Sequence, residues 1–327
     1  MRFRAEDNSL HLPSADPYWN ESAFFAVIVP ELNIDGFVYV WHRPNMRLSA
    51  SGVALWNDVG SHTDDCLYYD FTHLQAMEPG SDMFNFSLDG GLAIRCEEPG
   101  RAYAITYRGD GCELDLVWRG VIDPQPLHFV ENEGPQAWGD QHYEQAGRLT
   151  GVVTIEGESI EINCLNMRDH SWGSRPPHAG RVSSGGFEWA NASETSGFCL
   201  TSMREEPLDA QQFTGTTDAV RYGFYTRDGI VSPVRRGTRR VLERTASGRP
   251  LRLLIEATDE LGRELVAEGT CTNALHYKDL WFAYWGLVQW DFDAQTGWGE
   301  TQDFFSPRQI RRFQRDLQTS SPAANVR

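Results

Sequence analysis

Gly151-Val152-Val153-Thr154-Ile155-Glu156-Gly157-Glu158-Ser159-Ile160-Glu161-Ile162-Asn163-Cys164 reads as a β-hairpin. Two β-rich runs flank the turn Glu156-Gly157-Glu158. Ile160, Ile162 and Cys164 alternate with polar residues, at the period of a strand buried on one face. The same pattern extends in both directions. Upstream, Phe24–Val29, Gly36–His42, Gly91–Arg95, Ala102–Arg108 and Leu114–Trp118 are short strand-like runs separated by Gly, Asp and Pro turns. Downstream, Gly197–Met203, Arg221–Thr226, Gly229–Val234, Arg239–Arg244, Arg252–Thr258, Leu265–Thr270 and Trp281–Phe292 continue it. Strands at this spacing predict a mostly β protein of barrels or sandwiches. One helix is expected after Ser306-Pro307-Arg308-Gln309, where Ser306 caps, Pro307 opens the first turn and Gln309 completes a capping box. Ile310, Phe313 and Leu317 then share a packing side, and Arg308, Arg311, Arg312 and Arg315 form either a solvated face, the simpler reading, or an anion-binding cluster.

The 327 residues suit two domains or one large β architecture. Asp and Glu number 46 against 29 Lys and Arg, a net charge of -17, which repels phosphate backbones and anionic membrane surfaces. Neither nucleic acid nor membrane is therefore an expected partner. The single lysine, Lys278, follows Tyr277 and belongs to no phosphate-binding loop. No apolar run is long enough to span a bilayer. The start of the chain turns acidic where a signal peptide needs an apolar run, so a cytoplasmic protein with reduced thiols is expected. The six cysteines form no C-x-x-C pair, and His170 and His178 lack the spacing of a metal site. No G-x-G-x-x-G, G-x-S-x-G or H-E-x-x-H occurs. Neither a metal nor a cofactor is expected, and a homo-oligomer is compatible with the sequence.

If the pleat continues past Cys164, then Asn166, Arg168, His170 and Trp172 fall on the apolar side and Asp169 on the other. A bulge near Met167 would reverse this. An inward Arg and His require compensation. They form either a hydrogen-bonded cluster around Trp172 that pins the domain junction, or a catalytic patch in which His170 exchanges a proton. Trp298, Glu300 and Gln302 share a face; turned inward, Glu300 is a buried acid with a raised pKa, and turned outward it is a rim residue. His142 and Glu144 also share a face, as a turn-side pair or part of an interior network. Arg175 either orients Asp169 or an anionic head group, or makes a surface ion pair. Trp281-Phe282-Ala283-Tyr284-Trp285 is apolar on both faces and reads as core or as the wall of an aromatic cage.

Arg168-Asp169-His170-Ser171-Trp172-Gly173, followed by Gly186-Phe187-Glu188-Trp189-Ala190-Asn191, resembles the D-H-x-W-G … W-x-W-type signature of the carotenoid 1,2-hydratase-like superfamily. That superfamily also includes lipocalin-like Diels–Alderases. Gly297-Trp298-Gly299-Glu300 is similar to a glycine- and aromatic-rich strand ending in Glu in its second half. The resemblance implies two lipocalin-like (calycin-like) antiparallel β-barrel domains, here 1–180 and 181–318, while residues 319–327, past the helix, read as a flexible tail. It implies a ligand cavity at or near their interface and cofactor-free chemistry on apolar molecules. Phe187-Glu188-Trp189 replaces the Tyr-x-Asp pair of the hydratases, which argues against carotenoid hydration itself. The expected function is a lyase or hydratase, isomerase or cyclase acting on a hydrophobic small molecule. His170, Asp169 and Glu300 would handle protons, and Trp172, Trp189, Trp298, Arg168 and Asn166 would bind substrate. A non-catalytic carrier and a carbohydrate-active β-sandwich are the alternatives.

Overall fold

The computed structural model describes residues 3–126, 141–176, 184–204, 217–278 and 282–320. His178 and Trp281 lie outside them, as do the tail beyond 320 and residues 177–183 around the expected domain boundary. The first sheet contains β1 (Trp19–Ala26), β2 (Asp35–Arg43), β3 (Leu48–Trp56), β4 (Tyr68–Ala76), β5 (Asn85–Ser87), β6 (Leu92–Glu98), β7 (Ala102–Gly109), β8 (Cys112–Gly120), β9 (Gln125–Pro126), β10 (Gln141–Ile155) and β11 (Glu158–Ser174). Its order is β4-β3-β2-β1-β11-β10-β8-β7-β6-β5, with β9 added to β10. The hairpin legible at 151–164 is the tip of the much longer β10–β11 pair, which runs in unbroken register from Ile155↔Glu158 to Gln141↔Trp172. Its turn places Glu156 and Gly157 at φ 49° and 84°, the left-handed pair that a two-residue hairpin turn requires.

The second sheet contains β12 (Gly185–Ser193), β13 (Ser196–Met203), β14 (Thr217–Arg227), β15 (Ile230–Arg244), β16 (Pro250–Asp259), β17 (Glu264–Cys271), β18 (Leu275–Lys278), β19 (Phe282–Phe292) and β20 (Gln295–Phe305). Pairing of β17 with β19, from Glu268↔Asp291 to Cys271↔Val288, closes eight of these strands into a barrel. The runs read as separate strands at 229–234 and 239–244 are one bulged strand, β15, with register shifts at Val234/Arg236 and near Glu243.

The protein is thus mostly β, as expected, but only the second sheet closes. The first curls into a half-barrel. Side chains, not a backbone ladder, bridge its gap. The Tyr68 and Tyr107 hydroxyls meet at 2.7 Å, Tyr107 donates to Asp70 at 2.7 Å, and the Gly90 N–H donates to Gln75 at 2.7 Å. The helix α1 (Pro307–Ser320) has the predicted capping box: the Gln309 N–H donates to Ser306 Oγ and the Ser306 N–H to Gln309 Oε1, both at 3.3 Å. Ile310 and Phe313 bury against Tyr284 and Phe305 and so seal that part of the barrel.

Alternation splits each strand between two cores. Ala23, Phe25, Val38, Val40, Trp118 and Ile162 fill the concave side of the first sheet. Their neighbours Phe24, Ala26, Phe37 and Met167 turn the other way, against Trp189, Phe224, Trp285 and Leu287 on the outside of the barrel. The two sheets therefore dock through a continuous apolar layer, and the candidate site lies within it.

Candidate functional site

Between the sheets is a partly enclosed cavity of about 130 Å³. Phe24 and Phe37 from the first sheet, and Phe187, Tyr277, Trp285 and Phe304 from the second, give it an aromatic wall. Its polar end is built almost wholly by β10 and β11, which present His142, Glu144, Asp169 and Ser171, with Arg175 just beyond the strand end. In the ladder Glu144 is directly opposite Asp169, and His142 opposite Ser171. Parity thus gathers an imidazole and two carboxyls on one face.

Arg175 spans this end. It donates to Ser171 Oγ at 2.7 Å and to Ser22 Oγ and the Tyr39 hydroxyl at 3.3 Å. His142 Nε2 and Glu144 Oε1 are 2.8 Å apart. Glu144 Oε2 and Asp169 Oδ1 are buried with no hydrogen-bond donor among the described residues. Burial sets the charge states. Desolvation pushes Glu144 well above the usual carboxylate range, with only modest relief from the charge of Arg168. Asp169 is pushed up to about 7 by burial, opposed by His142 and Arg175 and reinforced by Glu144. His142 is brought down to about 4 by the same desolvation. Burial thus favours the protonated form of Glu144, keeps His142 neutral at neutral pH and leaves Asp169 near its midpoint there.

The residues expected from sequence divide by face. Asn166, Arg168, His170 and Trp172 do share the side of Ile160 and Ile162, without a bulge, but that side is the concave core of the first sheet and not the cavity. Asn166 accepts from Trp118 Nε1 at 2.8 Å. The Arg168 guanidinium sits 4.6 Å from the Tyr103 ring centroid and 4.9 Å from that of Trp118, and its Nε donates to Gln145 at 2.9 Å. His170 Nδ1 meets the Tyr143 hydroxyl at 3.1 Å. Of the three expected proton-handling residues only Asp169, read as pointing away from the cavity, lines it.

Glu300 is wholly buried in the layer between the sheets, one shell behind the cavity. It accepts from Trp285 Nε1 at 2.9 Å and Trp189 Nε1 at 3.2 Å. Trp189 is therefore its hydrogen-bond donor and not a cavity wall, and Trp298 packs in the same layer. Gln302, two residues on, does reach the cavity. Parity at His142 and Glu144, and the position of Arg175, were the available signals for the polar end. Tyr39, Ser22 and Tyr277 gave none, because their strands converge only in three dimensions.

A family model described as a domain of unknown function, DUF7064, matches residues 4–302. No curated protein matches the sequence. Among solved structures, an AttH protein from Nitrosomonas europaea superposes with a TM-score of 0.54 at 14% identity, covering 89% of this chain and 93% of its own. Kievitone hydratase from Nectria haematococca gives 0.52 at 12%, covering 94% and 93%, and CghA gives 0.54 at 10%, covering 90% and 93%. At these identities the likeness is one of fold. It bears out the fold that the resemblance at Asp169-His170-Ser171-Trp172-Gly173 implied.

Proposed function

This chain belongs to the DUF7064 family, and we propose that it is an enzyme of the lyase or hydratase, isomerase or cyclase type, moving protons on an apolar small molecule held between its two sheets. The observation that carries this reading is the pair of donor-less carboxyl oxygens, on Glu144 and Asp169, facing an otherwise aromatic cavity. Orphaned buried polar atoms at a cavity wall are suited to a ligand's polar group. That one fold relative is named a hydratase agrees with it.

The chemistry follows from the charge states. Glu144, whose protonated form burial favours, is the acid, and Asp169, in its ionised form, is the base. In a dehydration, Glu144 protonates a substrate hydroxyl while Asp169 takes a proton from the adjacent carbon. The C–O bond breaks, a C=C bond forms and water leaves. Glu144 is left ionised and Asp169 protonated. The ligating atoms of Asp169, His142 and Glu144 lie within 4.8 Å of one another, so His142 can return the proton. Hydration is the reverse, and double-bond migration uses the same two groups without loss of water. The aromatic wall stabilises developing positive charge. The cavity encloses about one ring, by analogy with apolar cavities of about 150 Å³ that accept benzene, so larger substrates extend through its mouth.

The test is mass spectrometry of the co-purifying small molecule, followed by its incubation with the protein in heavy water. Deuterium uptake or turnover is expected in the wild type, slower by about 10²–10⁴-fold in Asp169→Asn and Glu144→Gln. The wild-type rate should rise as pH increases through about 7, where Asp169 ionises. A ligand returned unchanged and unexchanged would make the protein a carrier. Equal rates in both variants would remove these residues from the mechanism.

A further inference from the structure

On the opposite face of β11 from the cavity, the geometry points to a divalent-metal site formed by His11, Glu21 and His170. His11 Nδ1 lies 3.1 Å and His170 Nε2 3.5 Å from the same carboxylate oxygen, Glu21 Oε2. All three ligating atoms fall within 4.8 Å of one another. Tetrahedral binding by nitrogen and oxygen at about 2.0–2.1 Å separates ligands by roughly 3.4 Å, so the spacing already suits a zinc-like ion. Two imidazoles and one carboxylate are also the donor set that first-row divalent metals favour.

The surroundings have the features of an outer shell. A metal-ligating histidine characteristically engages a carboxylate, carbonyl or water through its other ring nitrogen. His11 Nε2 faces Asp7 Oδ1 at 3.5 Å, and His170 Nδ1 meets the Tyr143 hydroxyl at 3.1 Å. Glu21 Oε1 is occupied separately, by the His11 backbone N–H at 2.6 Å and Trp19 Nε1 at 3.4 Å, which leaves Oε2 for the centre of the triad. His170 is fully buried, and its Nε2, aimed into the triad, makes no hydrogen bond among the described residues. His42, paired with Glu21 across the β1–β2 ladder, is likewise buried, with Nδ1 held by Ser49 at 2.8 Å and no partner for Nε2 among the described residues. The Glu21 and Asp7 carboxyls favour positive charge at His11, and Glu21 does so at His170 against the opposing charge of nearby Arg168. The His11 ring stacks on Trp172 at 4.0 Å, which fixes its orientation. Because His11 precedes the first strand while Glu21 and His170 belong to the sheet, the ion would clamp the N-terminal segment onto the concave core.

The test is titration of the chelator-stripped full chain with Co²⁺, then displacement by Zn²⁺, followed by calorimetry and visible absorption. One equivalent per chain with low-symmetry cobalt bands is expected. Asp7→Asn should weaken binding about 10–100-fold, the range for loss of an outer-shell partner, and His11→Gln should weaken it further. Both positions lie in the N-terminal segment before the first strand, so circular dichroism should be unchanged even if His170→Gln fails to fold. Absence of stoichiometric binding would overturn the site. So would a cobalt spectrum unaffected by His11→Gln but lost in Glu144→Gln, which would move the metal to the cavity triad of His142, Glu144 and Asp169.

Discussion

Glu300 and Asp35 face each other in the layer between the sheets, both wholly buried. Asp35 Oδ2 and Glu300 Oε1 receive no donor among the described residues, and each carboxyl shifts the other, the arrangement expected of a pair that shares a proton. Desolvation, then the neighbouring carboxylate, pushes Asp35 well above its ordinary value. Desolvation pushes Glu300 up to about 7 against the indole N–H bonds. The sign follows from linkage: a carboxyl whose folded pKa is raised contributes stability that is fully present below its unfolded value and is lost as pH rises through the folded one. Stability should therefore fall from about pH 4.5 through about 7. Glu300→Gln keeps an oxygen for the indoles and gives Asp35 a donor. Thermal melts between about pH 5 and 9 should show a shallower decline in that variant, by a few kcal/mol at the alkaline end. Equal slopes would mean that the pair does not share a proton. The residue scale also shows why Glu300 was half legible: strand parity put Trp298, Glu300 and Gln302 on one face, but not what that face would meet.

Among elements, the barrel is tied internally by Arg239 of β15. Its Nε donates to Glu188 of β12 at 2.6 Å, and its Nη1 to Asp218 of β14 at 3.0 Å and to Asp303 of β20 at 2.9 Å. Arg204 adds a two-pronged contact to Asp218 at 2.8 and 2.9 Å, and Arg244 a contact to Asp303. Asp303 is lowered to about 2 because Arg244 and Arg239 outweigh the cost of its burial. Removing one member leaves buried charges uncompensated, at about 3–5 kcal/mol. Arg239→Ala should lose that much in urea unfolding. Arg239→Met together with Glu188→Gln should lose less, because fewer unpaired charges remain. A single variant within about 1 kcal/mol of the wild type would show the network to be open to water. The glutamate in Phe187-Glu188-Trp189, weighed from sequence only as a departure from a hydratase pattern, is thus part of the barrel's framework.

At the scale of the whole molecule, the two sheets share one apolar layer in which Phe37 stacks on Trp285 at 4.7 Å. Asn273 fastens it: its Oδ1 accepts from Trp56 Nε1 at 3.2 Å and from the Leu287 N–H at 3.0 Å, and its Nδ2 donates to the Asn33 carbonyl at 2.8 Å. An interface this apolar couples the units on either side. Calorimetry should show one unfolding transition, with equal calorimetric and van't Hoff enthalpies. Two separated transitions would mean that the sheets are independent and the cavity between them is not built in.

Local physics was enough for much of this. The turn at Glu156-Gly157, the alternation of Ile160 to Trp172 and the Ser306–Gln309 cap each express a preference over a few residues, and each is found in the structure. The parity of β11 was also readable, including that Asp169 and His170 point to opposite sides. Which side faced a ligand was not. Both faces of the sheet are buried, one by its own curl and one by the barrel, and a period of two distinguishes faces without saying what covers them. Closure of one sheet and not the other was equally out of reach, since it depends on whether β17 meets β19 and β4 fails to meet β5. His170 is far from His11 and Glu21 in the chain, and Glu144 meets Asp169 only through a ladder. Their chemistry arises from proximity and desolvation, and both are properties of the folded molecule alone.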